Sequence, residues 1–270
     1  MKAMGPITAS RAILSCCALC WCLIAAPVLA NPVADRIYEP VALKDTEVSF
    51  RGDTPETISA RTEEGLVLEG AYWPPDPPNG DKLIIVFHGN SYNHLVMAAR
   101  AEPLRIGGRG VLVASYRGFG DNPGQPSEEG LMRDAEAWVA KARDLHPEAR
   151  LYLFGFSLGG AVALEMAARH EVEAVATMGA FTDLRSMIPK IARAFVRDRY
   201  DNLDAIRLVE EPVLLLHGSE DDIVDPSAAA LLEQAGGDNV TVINLRGGKH
   251  WVPLDQLSER LWAAMEGRQS

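Results

Sequence analysis

Leu151-Tyr152-Leu153-Phe154-Gly155-Phe156-Ser157-Leu158-Gly159-Gly160-Ala161-Val162-Ala163-Leu164 is the stretch on which the fold turns. Its first six residues are an apolar run of strand length, and residues 158–169 are rich in helix formers with no proline. Ser157 therefore falls at a sharp turn from strand to helix, between glycines that let the two arms approach without Cβ clashes. A serine in that place has its hydroxyl lifted above the sheet, beside the free N–H groups of a helix start, where negative charge is favoured. The bare string Gly-x-Ser-x-Gly carries little weight in a chain with 23 glycines; its position between a strand and a helix carries the weight.

Working outward, the same texture repeats. Strands are expected over 82–87, 110–115, 151–156, 174–178, 213–216 and 240–245, and helices over 95–105, 127–145, 158–169, 183–195, 226–234 and 254–265. Continuous apolar strands belong to a sheet buried on both faces, so the alternation predicts an α/β fold with a doubly wound, mostly parallel sheet. Shorter alternating runs at 47–50, 56–62 and 66–73 predict antiparallel N-terminal strands, the last closed by Pro74-Pro75-Asp76-Pro77-Pro78-Asn79-Gly80. Residues 31–44 contain two prolines and no period, and read as a tether or an arm laid over the domain.

In such sheets the ligand crevice lies beyond the carboxyl ends of the strands, so the loops there are where chemistry is sought. A serine hydroxyl is a poor nucleophile at neutral pH and needs a base held by a third group. His250 follows the last strand after Gly247-Gly248-Lys249 and is the candidate base. His88 and His217 end strands and read as loop-shaping, His146 and His170 fall at helix ends, and His94 begins a helix or lines the entrance. The acid is expected after the penultimate strand, where Asp221 and Asp222 both qualify. The Leu158 N–H is the first candidate oxyanion donor; the Asn90 N–H, in the loop after residues 82–87, is the second, although Asn90 reads equally well as a turn residue. Gly118-Phe119-Gly120 lacks the Lys-Ser/Thr ending of a phosphate loop and reads as loop shaping.

His88-Gly89-Asn90, Tyr116-Arg117-Gly118-Phe119-Gly120 with Pro123-Gly124-Gln125-Pro126-Ser127, Gly155-Phe156-Ser157-Leu158-Gly159-Gly160 and His217-Gly218-x-x-Asp221-x-x-Val224 together resemble the compact α/β-hydrolases, over about residues 66–262. The branch they resemble most is the group of small esterases and thioesterases that includes protein depalmitoylases. The resemblance implies an α/β-hydrolase domain over 66–268, preceded by an arm and strands over 31–65. It selects Asp221 as the acid of a Ser157–Asp221–His250 triad, with no cofactor and no metal. A small cap is expected between Phe181 and Glu211, over a shallow pocket walled by Tyr92, Phe181 and Trp251. The expected reaction is hydrolysis of a carboxylic ester or thioester, on a small molecule or an acyl carrier. A peptidase, lactonase or acyltransferase would use the same parts, and a non-catalytic binding member of the fold is the alternative from another class. Lys249 departs from the family, which has glycine before the catalytic histidine, but it lies outside the triad.

The first thirty residues differ from the rest. Lys2 and Arg11 are their only charges, and an apolar run over 12–29 ends at Val28-Leu29-Ala30, the small-x-small pattern of a signal peptidase site. A signal peptide over 1–30 is expected, cleaved near Ala30, with export to the periplasm or the medium. The alternative is a membrane anchor formed by residues 12–29, in which case Cys16, Cys17, Cys20 and Cys22 could be acylated; membrane contact is expected only then. No other cysteine exists, so beyond Ala30 disulfides, cysteine nucleophiles and zinc thiolates are excluded. That remainder has a formal charge of −13, against −11 for the whole chain, which repels nucleic acid and makes such a partner unexpected.

Overall fold

In the computed structural model, which describes residues 1, 37–191 and 193–267, the apolar runs pair into one eight-stranded sheet. Its strands are β1 (Glu56–Arg61), β2 (Val67–Trp73), β3 (Lys82–Phe87), β4 (Gly110–Ala114), β5 (Arg150–Phe156), β6 (Ala174–Met178), β7 (Val213–Gly218) and β8 (Val240–Leu245). They lie in the order β1-β2-β4-β3-β5-β6-β7-β8. β2 runs antiparallel to both β1 and β4, and every other pair is parallel. The leader expected over 1–30, with its four cysteines, lies outside the described residues, Met1 apart.

Side-chain alternation divides β3 between two cores. Leu83, Ile85 and Phe87 enter the layer holding Trp138, Leu131 and Leu164, while Ile84 and Val86 enter the layer holding Met97, Leu104 and Trp262. The first layer is built by α2 (Glu128–Leu145), α3 (Leu158–Arg169), α4 (Asn202–Ile206) and α5 (Ser227–Gly236), the second by α1 (His94–Ala101) and α6 (Ser258–Met265). A strand buried on both faces has no polar side to show, which is why these runs lack period two.

Several expected elements take another form. No strand forms at 47–50; a 3₁₀ turn at Leu43–Asp45 is followed by chain outside any strand, and Phe50 packs edge-on against Trp73 at 5.6 Å. The helix expected over 95–105 stops at Ala101 and passes through Pro103 into a 3₁₀ segment, Glu102–Gly108, broken by Gly107 at φ +71°. The helix expected over 183–195 is replaced by 3₁₀ turns at Leu184–Met187 and Arg193–Phe195. Pro189 disfavours helical backbone at the residue before it, and Ile188 is indeed extended at φ −112°, ψ 137°. The cap between Phe181 and Glu211 thus consists of short turns and α4. Among the described residues no helix is long and apolar enough to cross a membrane.

The loop after β4 is anchored by a buried ion pair. Asp134 on α2, with a fully buried side chain, accepts from Arg117 Nε at 3.0 Å, from Nη2 at 2.8 Å and from the Arg117 backbone N–H at 2.8 Å. Replacing Asp134 by alanine would leave the Arg117 guanidinium with only the part-exposed Glu64, 2.7 Å from Nη2, and a loss of about 3 kcal/mol, the low end for breaking a buried pair, is expected in urea unfolding. A loss under about 1 kcal/mol would show the pair to be dispensable.

Candidate active site

β5 and α3 meet at Ser157, whose backbone is at φ +52°, ψ −115°. Such a conformation costs a non-glycine residue on the order of 1–3 kcal/mol and persists only where the surroundings impose it. Here the Ser157 N–H donates to the Met178 carbonyl at 2.9 Å, and the Ser157 carbonyl accepts from the Gly160 N–H at 2.8 Å. The flanking glycines are dictated by contact: a Cβ on Gly155 would fall 2.2 Å from the Gly159 carbonyl oxygen, and one on Gly159 would fall 2.1 Å from that of Phe87.

The loops after β7 and β8 are stitched together. The Ser219 N–H donates to Leu245 O at 3.0 Å, the Glu220 N–H to Gly248 O at 2.8 Å, and the Gly247 N–H to Ser219 Oγ at 2.8 Å. This stitching fixes Asp221 against His250, with Oδ2 accepting from Nδ1 at 2.8 Å. The other carboxylate oxygen, Oδ1, accepts the N–H groups of Ile223 and Val224, each at 2.9 Å. Burial pushes the Asp221 carboxyl up, but the His250 hydrogen bond and the two backbone donors outweigh it, and its pKa lies below the ordinary value. Asp222, its rival in the sequence, is exposed. His217, read as loop-shaping, does lie 3.1 Å from the Val224 carbonyl, but its Nε2 is also 3.2 Å from Asp221 Oδ2.

His250 lies alongside the elbow. Its ring centroid is 5.0 Å from that of Phe156, and a Cβ on Gly179, next to the carbonyl that binds the Ser157 N–H, would come within 2.7 Å of its Cε1. Among the described residues no hydrogen bond joins Ser157 Oγ to the imidazole; contacts of this type commonly tighten only when substrate is bound.

Ser157 opens into a cavity of about 160 Å³. Asn90 and Leu158 line it beside Ser157, and no hydrogen bond among the described residues occupies the backbone N–H of either. The apolar wall comes from Phe181, Leu184, Met187 and Ile188 after β6, from Ile223 after β7, and from Ile37. Of the three wall residues expected from the sequence, only Phe181 is there. Tyr92 and Trp251 are instead drawn to Arg100 on α1, whose guanidinium carbon lies 4.6 Å from one ring centroid and 4.8 Å from the other, and both rings pack on Phe156. The sequence reading missed Ile37, Leu184, Met187, Ile188 and Ile223. Ile223 carried a usable signal, being a large apolar residue two positions after the candidate acid in a loop beyond a strand end; in the fold it is 59% exposed.

Two further histidines near the strand ends are held neutral. Burial pushes His88 down to about 3, although its Nδ1 lies 2.7 Å from the Gly89 carbonyl, and pushes His94 down to about 4. The unfolded chain protonates both near 6.5, so it binds more protons than the fold below that pH. Their contribution to stability is complete above about 6.5 and is lost as pH falls towards 4 and 3. The urea midpoint is expected to fall between pH 6.5 and 4, and less steeply in His94→Gln; identical slopes would exclude His94 as a cause.

Residues 82–204 match the family model for the alpha/beta hydrolase fold. An uncharacterized protein of Mycobacterium tuberculosis, Rv2307c, is 33% identical over 225 residues, covering 80% of each chain. Human alpha/beta hydrolase domain-containing protein 17B is 31% identical over 165 residues, or 58% of this chain and 56% of that protein. Among solved structures the Pyrococcus furiosus esterase Pf2001 is similar, with a TM-score of 0.64 at 19% identity, covering 85% of this chain and 97% of that one. The chain belongs to the alpha/beta hydrolase fold family.

Proposed function

We propose that the protein is a serine hydrolase that cleaves carboxylic esters or thioesters through an acyl-enzyme. Ser157 Oγ attacks the carbonyl carbon while His250 Nε2 takes its proton, and the Leu158 and Asn90 N–H groups receive the oxyanion. His250 returns the proton to the departing alcohol or thiol. A water molecule, activated by the same imidazole, then releases the acid and restores Ser157. Asp221 holds Nδ1 protonated and stabilises the imidazolium between the two proton transfers.

The observation that carries this reading is the 2.8 Å Asp221–His250 pair set beside a serine held at φ +52°. An ester or thioester fits because the cavity offers apolar walls for an acyl group, and among the described residues a charged side chain does not line it. The fold alone does not choose a substrate. The test is a fluorophosphonate probe, which phosphonylates only an activated serine. Labelling of the wild type and none of Ser157→Ala or His250→Ala supports the proposal. A folded wild type that is not labelled would leave the protein as a binding member of its family.

A further inference from the structure

We propose that Ile37–Glu39 is a strap that completes the active site and restricts the acyl group to a short one, with Ile37 as the specificity-determining residue. The inference rests on the serine-hydrolase reading above and deepens it. In the sequence this segment is an arm without a readable role. In the fold it is 8% exposed at Ile37 and 3% at Tyr38, and Ile37 lines the cavity into which Ser157 opens.

The strap grips the oxyanion loop from two sides. Asn90 Nδ2 donates to the Ile37 carbonyl at 3.1 Å, and the Glu39 N–H donates to the Asn90 carbonyl at 2.9 Å. Asn90 thus spends its side chain and its carbonyl on the strap, leaving its N–H for the site. The strap is itself latched: the buried Tyr38 hydroxyl donates to Asp198 Oδ2 at 2.7 Å and lies 2.8 Å from the Tyr200 hydroxyl. That cap segment is fixed in turn, because Glu128 at the start of α2 accepts the Arg199 and Tyr200 N–H groups at 2.5 and 2.8 Å. Tyr200, at φ +44°, keeps a backbone that such anchoring must impose.

The size of the space beside Ser157 bears on the acyl group it takes. An apolar cavity of roughly 150 Å³ accommodates a molecule the size of benzene, so about 160 Å³ suits an acyl group of some four to six carbons. A second space of about 340 Å³ adjoins it, and Phe181, Met187 and Ile223 line both. On the side of Ile37 a longer chain has no room beside Ser157; it would have to turn past Met187 and Ile223 into the adjoining space. Ile37→Ala removes three carbon atoms from the wall and makes room for two or three more on the substrate.

The experiment measures kcat/KM for p-nitrophenyl esters from acetate to decanoate, and labelling by the fluorophosphonate probe, for the wild type, Ile37→Ala, Ile37→Val and Tyr38→Phe. The wild type is expected to prefer butyrate to hexanoate. Ile37→Ala should raise the octanoate-to-butyrate ratio about ten-fold or more, which is the scale on which one or two methylenes in an apolar pocket are discriminated. Ile37→Val, which conserves the fold, should shift it less in the same direction. Tyr38→Phe should lower turnover on every ester, by loosening the loop that carries Asn90. A ratio unchanged in all variants, with Ser157-dependent labelling intact, overturns the strap proposal alone. A wild type without labelling overturns the reading on which it rests.

Discussion

Ser157→Ala is expected to lower ester turnover by about 10⁵–10⁶-fold, the scale on which a serine nucleophile's loss is felt when its base and oxyanion donors remain. The residual rate would come from the Leu158 and Asn90 donors and from binding, which by themselves supply about 10³–10⁴ over water. Alanine leaves the turn as it is: residue 157 makes its 2.9 Å and 2.8 Å hydrogen bonds through the backbone. KM should therefore change little while kcat collapses. Ser157→Gly adds a second readout. Glycine occupies φ +52° without the penalty paid by a residue with a Cβ, so it should be inactive and about 1 kcal/mol more stable than the alanine variant. Equal stability of the two would mean that the elbow stores no strain. A fall in turnover under about 100-fold would exclude Ser157 as the nucleophile.

The parallel strands were legible because burial on both faces leaves an unbroken apolar run, and Lys82–Phe87, Ala174–Met178 and Val240–Leu245 take the expected bounds. The segment after β6 misled for a physical reason. Leu184, Met187 and Ile188 have the i, i+3, i+4 spacing of a helix face, yet that spacing serves a 3₁₀ turn and an extended residue facing the cavity. Periodicity reports a shared face, whatever backbone presents it. Tyr92 and Trp251 stand close in sequence to Asn90 and His250, yet neither lines the cavity. Both lie against Arg100 and Phe156; Arg100 is eight residues from one and 151 from the other, and such pairings leave no mark on a single sequence. Ile37 was hidden in the same way: its partner Asn90 is 53 residues distant, and an irregular segment with two prolines gives no pattern to read. The Ser157 turn and the loops bearing Asp221 and His250 were easier to find, because strand ends are where this topology collects its chemistry.

The two acids left open by the sequence, Asp221 and Asp222, are expected to separate by about four orders of magnitude. Asp221→Asn should lower kcat about 10⁴-fold, and Asp222→Asn, at an exposed position, less than about two-fold. The argument is one of proton placement. The Asp221 site presents two N–H donors, from Ile223 and Val224, on one side and the His250 Nδ1 on the other. An asparagine satisfies the backbone donors only with its carbonyl oxygen, so its NH₂ group turns to Nδ1. Nδ1 must then accept, the imidazole proton moves to Nε2, and the base reaches Ser157 already protonated. Shape, volume and burial hardly change, so the loss should appear in kcat with the fold intact. The carboxylate is held below its ordinary value, so whatever stability its ionised form gives is present above about pH 4 and lost only as the pH falls through the folded value. Asp221 therefore stays ionised through the neutral range. A double variant completes the case: in Asp221→Asn the imidazole has already lost its role as a base, so adding His250→Ala should cost far less than it does in the wild type. Additive losses would mean that the two side chains, 2.8 Å apart, act on different steps.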